Sequence, residues 1–206
     1  MSGIFEGLRY QLVLASSSPR RRELLSHLGY PFAVEIPDIE ERRREGESAL
    51  AYVQRNAREK ALAVLAKHQP IGSALVIAAD TIGVIDGEVL EKPLDAADAV
   101  RMLASMSGRA HDVLTGLAVA GGSSQSPHVA ETVVRTSVSF KSLSAHEIAY
   151  YVQTSEPLDK AGAYGIQGIG GFMVERIDGS YSNVVGLPLV ELIQLISTVN
   201  SQLEQP

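Results

Sequence analysis

Ala74-Leu75-Val76-Ile77-Ala78-Ala79-Asp80-Thr81 is apolar without interruption until it meets an acid and a hydroxyl. Such a run reads as a strand covered on both faces, the kind found inside a sheet flanked by helices. The pattern predicts that the strand ends at Asp80-Thr81. That puts a carboxylate at the end of a buried strand, where ligands bind in α/β folds. The residues just beyond decide the sheet type. Ile82-Gly83-Val84-Ile85 and Glu88-Val89-Leu90-Glu91 flank Asp86-Gly87, and Asp-Gly in that setting is a strong hairpin signal. A regular hairpin pairs Ile85 with Glu88 and Val84 with Val89. The same register carried further sets Thr81 opposite Lys92 and gathers Asp80, Thr81 and Lys92. A hairpin needs an antiparallel pair, whereas strands alternating with helices need crossovers. The fold class is therefore α/β, with a mixed β-sheet and flanking helices.

Toward the N-terminus, Leu12-Val13-Leu14-Ala15 runs into Ser16-Ser17-Ser18-Pro19-Arg20-Arg21-Arg22. This reads as a strand turning into a helix over 20–28, with Ser18 as N-cap, Pro19 at the first helical position and Gly29 as the stop. Free backbone N–H groups and the helix dipole favour an anion at such a turn, and hydroxyls and guanidinium groups suit phosphate oxygens. The alternative is an ordinary helix entry with solvated arginines. A strand is expected over 32–36. The run Asp38-Ile39-Glu40-Glu41-Arg42-Arg43-Arg44-Glu45-Gly46 is either a solvated loop or the place from which Asp38, Glu40 or Glu41 reaches a metal. Ser48 caps a helix over 49–67 whose apolar stripe is Leu50, Val53, Ala57, Ala61 and Val64. Lys60 borders that stripe. It either snorkels to water or points into a polar cleft.

Toward the C-terminus, Asp95 caps a helix over 96–106, and a strand is expected over 111–120. A flexible turn over 121–127 leads to a strand over 129–140. Ser144 and Glu147 form a capping box for a helix reaching about residue 152. The stretch 156–171 is rich in glycine and too polar for a core element. It is either a surface loop or one that lays backbone close to a ligand. Next come a strand over 172–177 and a second Asp-Gly turn. Ser180-Tyr181-Ser182-Asn183 then reads either as a plain loop or as one suited to a base or ribose contact. The last helix starts at Pro188, with Leu189, Leu192, Ile193 and Ile196 on one face.

Composition narrows the function. The 206 residues are 45% hydrophobic and 20% charged, with a net charge of −6, which argues against a broad nucleic-acid-binding face. Cysteine is absent, so disulfides, thiolate metal sites and a cysteine nucleophile are excluded. The first ten residues form a short leader without a signal-peptide core, and no apolar run approaches membrane-spanning length. A cytoplasmic protein without membrane or nucleic-acid partners is expected. No Walker sequence and no His-Glu-x-x-His are present. What remains is a polyanion site: a phosphate-type turn, an acidic loop, Lys60, Lys92, Asp80 and a Gly-rich loop.

Motifs spread along the chain carry a resemblance. They are Ala15-Ser16-Ser17-Ser18-Pro19-Arg20-Arg21, Ile39-Glu40-Glu41, Ala57-Arg58-Glu59-Lys60-Ala61, Ala79-Asp80-Thr81 and Gly87-Glu88-Val89-Leu90-Glu91-Lys92-Pro93, then Asp159-Lys160-Ala161-Gly162-Ala163-Tyr164-Gly165-Ile166-Gln167-Gly168, and Gly179-Ser180-Tyr181 with Val185-Gly186-Leu187-Pro188. In this order they resemble the Maf-type nucleoside triphosphate pyrophosphatases, also named septum-formation-inhibitor-like proteins. The resemblance implies one domain over 1–206, similar in fold to the inosine triphosphate pyrophosphatases, with two lobes around a nucleotide cleft and commonly a homodimer. It implies hydrolysis of a nucleoside triphosphate to the monophosphate and pyrophosphate with Mg2+ or Mn2+. The proton acceptor then falls on Asp80. Phosphate contacts fall on Ser16, Arg21, Lys60 and Lys92, and metal contacts on Glu41 and Asp80, with Glu40 the alternative to Glu41. Arg20, Thr81 and Gln167 resemble the branch acting on dTTP and UTP. The branch acting on 7-methyl-GTP carries other residues there. A nucleotide-binding regulator of cell division is the competing class. An acid able to activate water favours the enzyme.

Overall fold

The computed structural model describes residue 5 and residues 7–68 and 74–204. Of the leader expected over 1–10, residues 1–4 and 6 lie outside the described residues. The elements run in the order β1 (Gln11–Ala15), α1 (Pro19–Ser26), β2 (Phe32–Glu35), α2 (Ala49–Lys67), β3 (Ala74–Ile85), β4 (Glu88–Leu90), α3 (Ala96–Met106), β5 (Ala110–Ser123), β6 (Ser126–Phe140), α4 (Ala145–Gln153), β7 (Val174–Asp178), α5 (Tyr181–Val185) and α6 (Leu189–Leu203). The seven strands form one sheet in the order β2-β1-β3-β5-β6-β7, with β4 paired to β3. β1 runs parallel to β2 and β3, whereas β3–β4 and β6–β7 are antiparallel. The sheet is mixed, as the hairpin and the crossovers require.

The caps act where the sequence put them. Ser18, Ser48, Asp95 and Ser144 each accept a hydrogen bond from a backbone N–H in the first turn of their helix, and Ser144 with Glu147 completes the capping box. Asp86 and Gly87 both have positive φ, 51° and 82°, the backbone that a tight hairpin turn demands.

The chain divides into two compact units. The first holds residues 1–80, 115–134 and 186–206. In it Val13 and Ala15 of β1, Val76 and Ala78 of β3, and Ala118 and Ala120 of β5 pack with Ala57, Ala61 and Val64 of α2. Small side chains let helix and sheet approach closely. A Cβ added to Gly116 would stand 2.1 Å from the Val53 carbonyl oxygen of α2. The opposite strand faces carry Leu12, Leu14, Leu75, Ile77, Leu117 and Val119, all fully buried. Added at Gly121, a Cβ would strike Leu75, and Val199 and Leu203 of α6. The second unit holds residues 81–114 and 135–185. Its core joins Ile85, Leu90, Met102, Leu103, Met106, Phe140, Ile148, Tyr151, Tyr164 and Met173.

Several expectations are corrected. β3 does not stop at Asp80-Thr81 but continues to Ile85, because Ile82 and Ile85 are themselves buried and keep the strand in the sheet. Leu50 is half exposed and stands outside the stripe of α2, and Ile36 is exposed beyond β2. The turn expected over 121–127 shrinks, since Gly121 and Gly122 still belong to β5 and β6 begins at Ser126. The stretch 156–171 is not a surface loop. It is built from 3-10 turns at Glu156–Asp159 and Ile169–Met173, with left-handed backbone at Gly162 and Ala163 between them, and with Gly162, Ala163, Tyr164 and Gly170 buried. Phe172 and Met173 belong to the last of these turns and not to β7. The second Asp-Gly makes no hairpin. Gly179, at φ 130°, leads into α5, a helix where a loop was expected.

Candidate active site

Ser16 comes directly after the last residue of β1 and is buried. Its Oγ accepts from Ser18 N at 3.1 Å and from Arg21 Nη1 at 3.4 Å. Ser18 caps α1 and so sets the helix whose first turn carries Arg20, Arg21 and Arg22. The Arg21 Nε donates to the Gly186 carbonyl at 2.8 Å, which fixes the guanidinium over the turn. Burial lowers the Arg21 pKa from its ordinary value, against the opposing pull of Asp80 and Glu41. Arg20 is half-buried, whereas Arg22 at the end of that turn is exposed.

The centre of the first unit's polar cluster is Asp80 on β3. Lys60 and Asn56, one turn apart on α2, each take one of its oxygens. Lys60 Nζ stands 2.8 Å from Oδ1, and Asn56 Nδ2 donates to Oδ2 at 2.9 Å. Burial pushes the Asp80 carboxyl up, but the Lys60 charge and hydrogen bond, the Asn56 amide and the Arg21 charge together hold it below its ordinary value. Asp80 is thus a buried carboxylate kept ionised. Lys60 also reaches Glu41 Oε2 at 2.6 Å. Its side chain is 5% exposed, so it points inward and does not snorkel to water.

The segment bearing Glu41 is tied down from α2. The Tyr52 hydroxyl donates to the Glu41 carbonyl at 3.2 Å, and Arg55 donates to the Arg42 carbonyl at 3.0 Å. Arg55 also grips Glu47 with two hydrogen bonds, and these hold the Glu47 carboxyl at about 2. The charged run is thus a loop, exposed over 40–46, whose backbone is strapped to α2 at Glu41 and Arg42. Between the two acids in question, Glu41 joins the Lys60–Asp80 cluster. Glu40 lines a separate open depression with Arg42, Arg43, Arg44 and Glu59.

The second unit carries the remaining sequence candidates. Thr81 is half-buried in β3, while Lys92 and Gln167 are exposed. The expected pairing of Thr81 with Lys92 does not form. The ladder holds Ile85↔Glu88, Val84↔Val89 and Gly83↔Leu90, and β4 ends there. The next carbonyl, that of Glu91, instead accepts from Gly162 N at 3.0 Å. That hydrogen bond draws the chain off the hairpin and onto the Gly-rich segment.

Gln167 sits in a segment wound around one carboxylate. Glu156 accepts from the Tyr151 hydroxyl at 2.9 Å, Ile169 N at 3.0 Å and Gly170 N at 3.3 Å. Burial raises the Glu156 carboxyl, and these donors more than offset it. A Cβ on Gly168 would lie 2.4 Å from Glu156 Oε1, which is why glycine succeeds Gln167. Tyr164 is anchored separately. Its hydroxyl pairs with His111 Nε2 at 2.9 Å in an edge-to-face cluster with Phe140, and burial holds that histidine neutral, at about 4. Sequence reading passed over Asn56 and Glu156. Asn56 was findable by helical spacing, four residues before Lys60. Glu156 gave no local signal, because its partners come from α4 and the far end of the segment.

Over residues 11–199 the chain matches the family described as Maf-like protein. The chain belongs to that family. Among relatives of this Maf-like protein, one from Escherichia coli (strain K12), named dTTP/UTP pyrophosphatase, is 51% identical over 94% of this chain and 95% of its own. Another of that name, from Myxococcus xanthus (strain DK1622), is 53% identical over 90% of each chain. A third, from Salmonella typhimurium, is 52% identical over 92% of this chain and 93% of its own. A solved structure described as a HAM1 protein from Coxiella burnetii aligns at 18% identity and a TM-score of 0.44, covering 94% of this chain and 99% of that one. No described helix is long and apolar enough to cross a membrane.

The Maf-like cluster can be tested against a divalent cation by its donors. Among the described residues no group of three or more His, Asp or Glu converges, so a cage made by the protein alone is not formed there. Glu41 and Asp80 do share one cation, the Lys60 ammonium. Two hard carboxylates fit Mg2+ or Mn2+ when phosphate oxygens and water supply the other positions.

Proposed function

We propose that this chain hydrolyses dTTP and UTP to the nucleoside monophosphate and pyrophosphate. One observation carries the reading: a buried, ionised Asp80 is held with Lys60, Glu41 and Arg21 in a chain whose named relatives are dTTP/UTP pyrophosphatases at 51–53% identity. In the reaction a water oxygen bonds to the α-phosphorus and the bond to the α–β bridging oxygen breaks. Asp80 orients that water and takes its proton as the new bond forms. A carboxylate held this low in pKa is a weak base. Much of its value lies in orientation and in attracting positive charge. Lys60, Arg21 and Ser16 meet the phosphate oxygens, where cations and hydroxyls offset the charge developing on the leaving group. Glu41 and Asp80 would hold the divalent cation, which when bound neutralises phosphate charge. On the family's motifs, Lys92 is a further phosphate contact, and Arg20, Thr81 and Gln167 choose the base. A homodimer in the cytoplasm belongs to the same reading, and sedimentation of the purified chain tests its assembly.

The decisive experiment measures pyrophosphate release from canonical and modified triphosphates with Mg2+ or Mn2+. Release fastest from dTTP and UTP is expected, falling by about two to four orders of magnitude in Asp80→Asn while nucleotide binding persists. No release from any triphosphate overturns the reading. A preference for 7-methyl-GTP moves the chain to another substrate within the same chemistry.

A further inference from the structure

Helix α2 meets the sheet through Val53, Ala57, Ala61 and Val64, all buried. Asn56 is fully buried on the same helix. An amide in that position costs free energy unless both its ends are hydrogen-bonded. Only one end is used. Nδ2 donates to Asp80 Oδ2 at 2.9 Å, and Oδ1 has no partner among the described residues. The amide's orientation is fixed by its partner, since a carboxylate only accepts. An asparagine retained for packing alone is poorly explained by this arrangement, because an apolar residue of similar volume avoids the unsatisfied oxygen.

We propose that Asn56 is a positioning residue for the reaction: with Lys60 one turn further along α2, it clamps both oxygens of Asp80 and fixes the plane of that carboxylate. The inference rests on the reading of Asp80 as the acid of the site. Lys60 alone leaves the carboxylate free to rotate about its Cβ–Cγ bond. A second donor on the other oxygen stops that rotation, and the remaining lone pairs then keep one direction. Because the second donor is a neutral amide, orientation is gained without further positive charge where substrate phosphates and a metal have to be balanced. The charged groups facing Asp80 are Lys60 from α2 and Arg21 from α1, with Glu41 beyond Lys60. Asn56 is the neutral member of this set.

The test replaces Asn56 and reads the clamp directly. In Asn56→Leu at pH 7, kcat for UTP is expected to fall about tenfold with KM within about twofold, the mark of a group that acts on the reacting step and not on substrate binding. Asn56→Ser, too short to reach Asp80, is expected to do the same and serves if the leucine variant does not fold. Added to Asp80→Asn, which removes the carboxylate to be oriented, Asn56→Leu is expected to cost no further activity, because the two residues act as a unit. An unchanged kcat in a folded variant, or a full further loss in the double variant, overturns the proposal. A wild-type chain that releases no pyrophosphate overturns the reading of function instead, and the side-chain amide signal of Asn56 in 15N NMR, expected to shift in Asp80→Asn, still reports whether Asn56 holds Asp80.

Discussion

Lys60 does two jobs with one ammonium. It neutralises Asp80, whose side chain is 10% exposed, and Glu41, whose side chain is 47% exposed. The buried half of this pairing dominates the energetics, since removing one partner leaves an uncompensated charge where water cannot reach it. Lys60→Met should therefore destabilise the protein by about 3 kcal/mol at pH 7, measured by urea unfolding. The loss should shrink as pH is lowered, because Asp80 without its cation takes up a proton more readily. A loss independent of pH would mean that packing and not charge is responsible. At this scale the sequence was legible for Ser18, Ser48, Asp95 and Ser144, whose capping role depends on neighbours within a few residues. It was ambiguous for Lys60, because a lysine at the edge of a stripe snorkels or turns inward according to what lies across the sheet. Asp80, twenty residues away, decides it.

Among the elements, α2 has the most to hold in place. It carries Asn56 and Lys60 toward Asp80 and, through Tyr52 and Arg55, the strap that bears Glu41. Its height above the sheet is set by Gly116 on β5, where the obstacle to any side chain is helix backbone at 2.1 Å. Gly116→Ala should cost about 3 kcal/mol by overpacking in thermal or urea unfolding. It should also weaken turnover more than a loss of stability explains, by lifting both donors off Asp80. The Gly-rich segment is the second such element. Its hydrogen bonds to Glu156 hold the backbone around Gln167, so a change confined to that exposed side chain leaves the frame intact. A neutral amide can both donate to and accept from the imide edge of uracil or thymine, whereas a carboxylate suits a cationic methylated guanine. Gln167→Glu should accordingly shift the kcat/KM ratio from UTP toward 7-methyl-GTP, and an unchanged ratio would remove Gln167 from base selection. Strands, helices and the hairpin register were readable from periodicity and turn residues. The path of the chain after Leu90 and the winding of 156–171 were not, because each is fixed by a hydrogen bond to a residue distant in sequence.

For the whole molecule the depressed carboxyls set the response to acid. Glu47 and Glu147 are held at about 2 in place of 4.5, the first chiefly by the Arg55 side chain and the second by Lys141 and its capping-box partner, and Asp80 is lowered as well. Each is more acidic folded than unfolded, so each adds stability above its unfolded value and loses it as pH falls through its folded one. The melting temperature should hold near neutral pH, begin to fall below about 4.5 and continue falling toward 2. A constant melting temperature from pH 5 to 2.5 would contradict these pairings.

The division into two units reflects a chain that changes unit after Asp80, after Leu114, after Val134 and again after Val185. The first unit is thus assembled from three stretches separated by those of the second. No single cut of the gene yields either unit whole: a product stopped after Asp80 lacks the β5 and β6 segments and the α6 helix that complete its sheet and core. The ribosome must also deliver the α6 helix, made after the whole of the second unit, before the first unit can close, so the half made earliest is the half that finishes last. Neither unit can be duplicated, deleted or traded as one contiguous stretch of coding sequence.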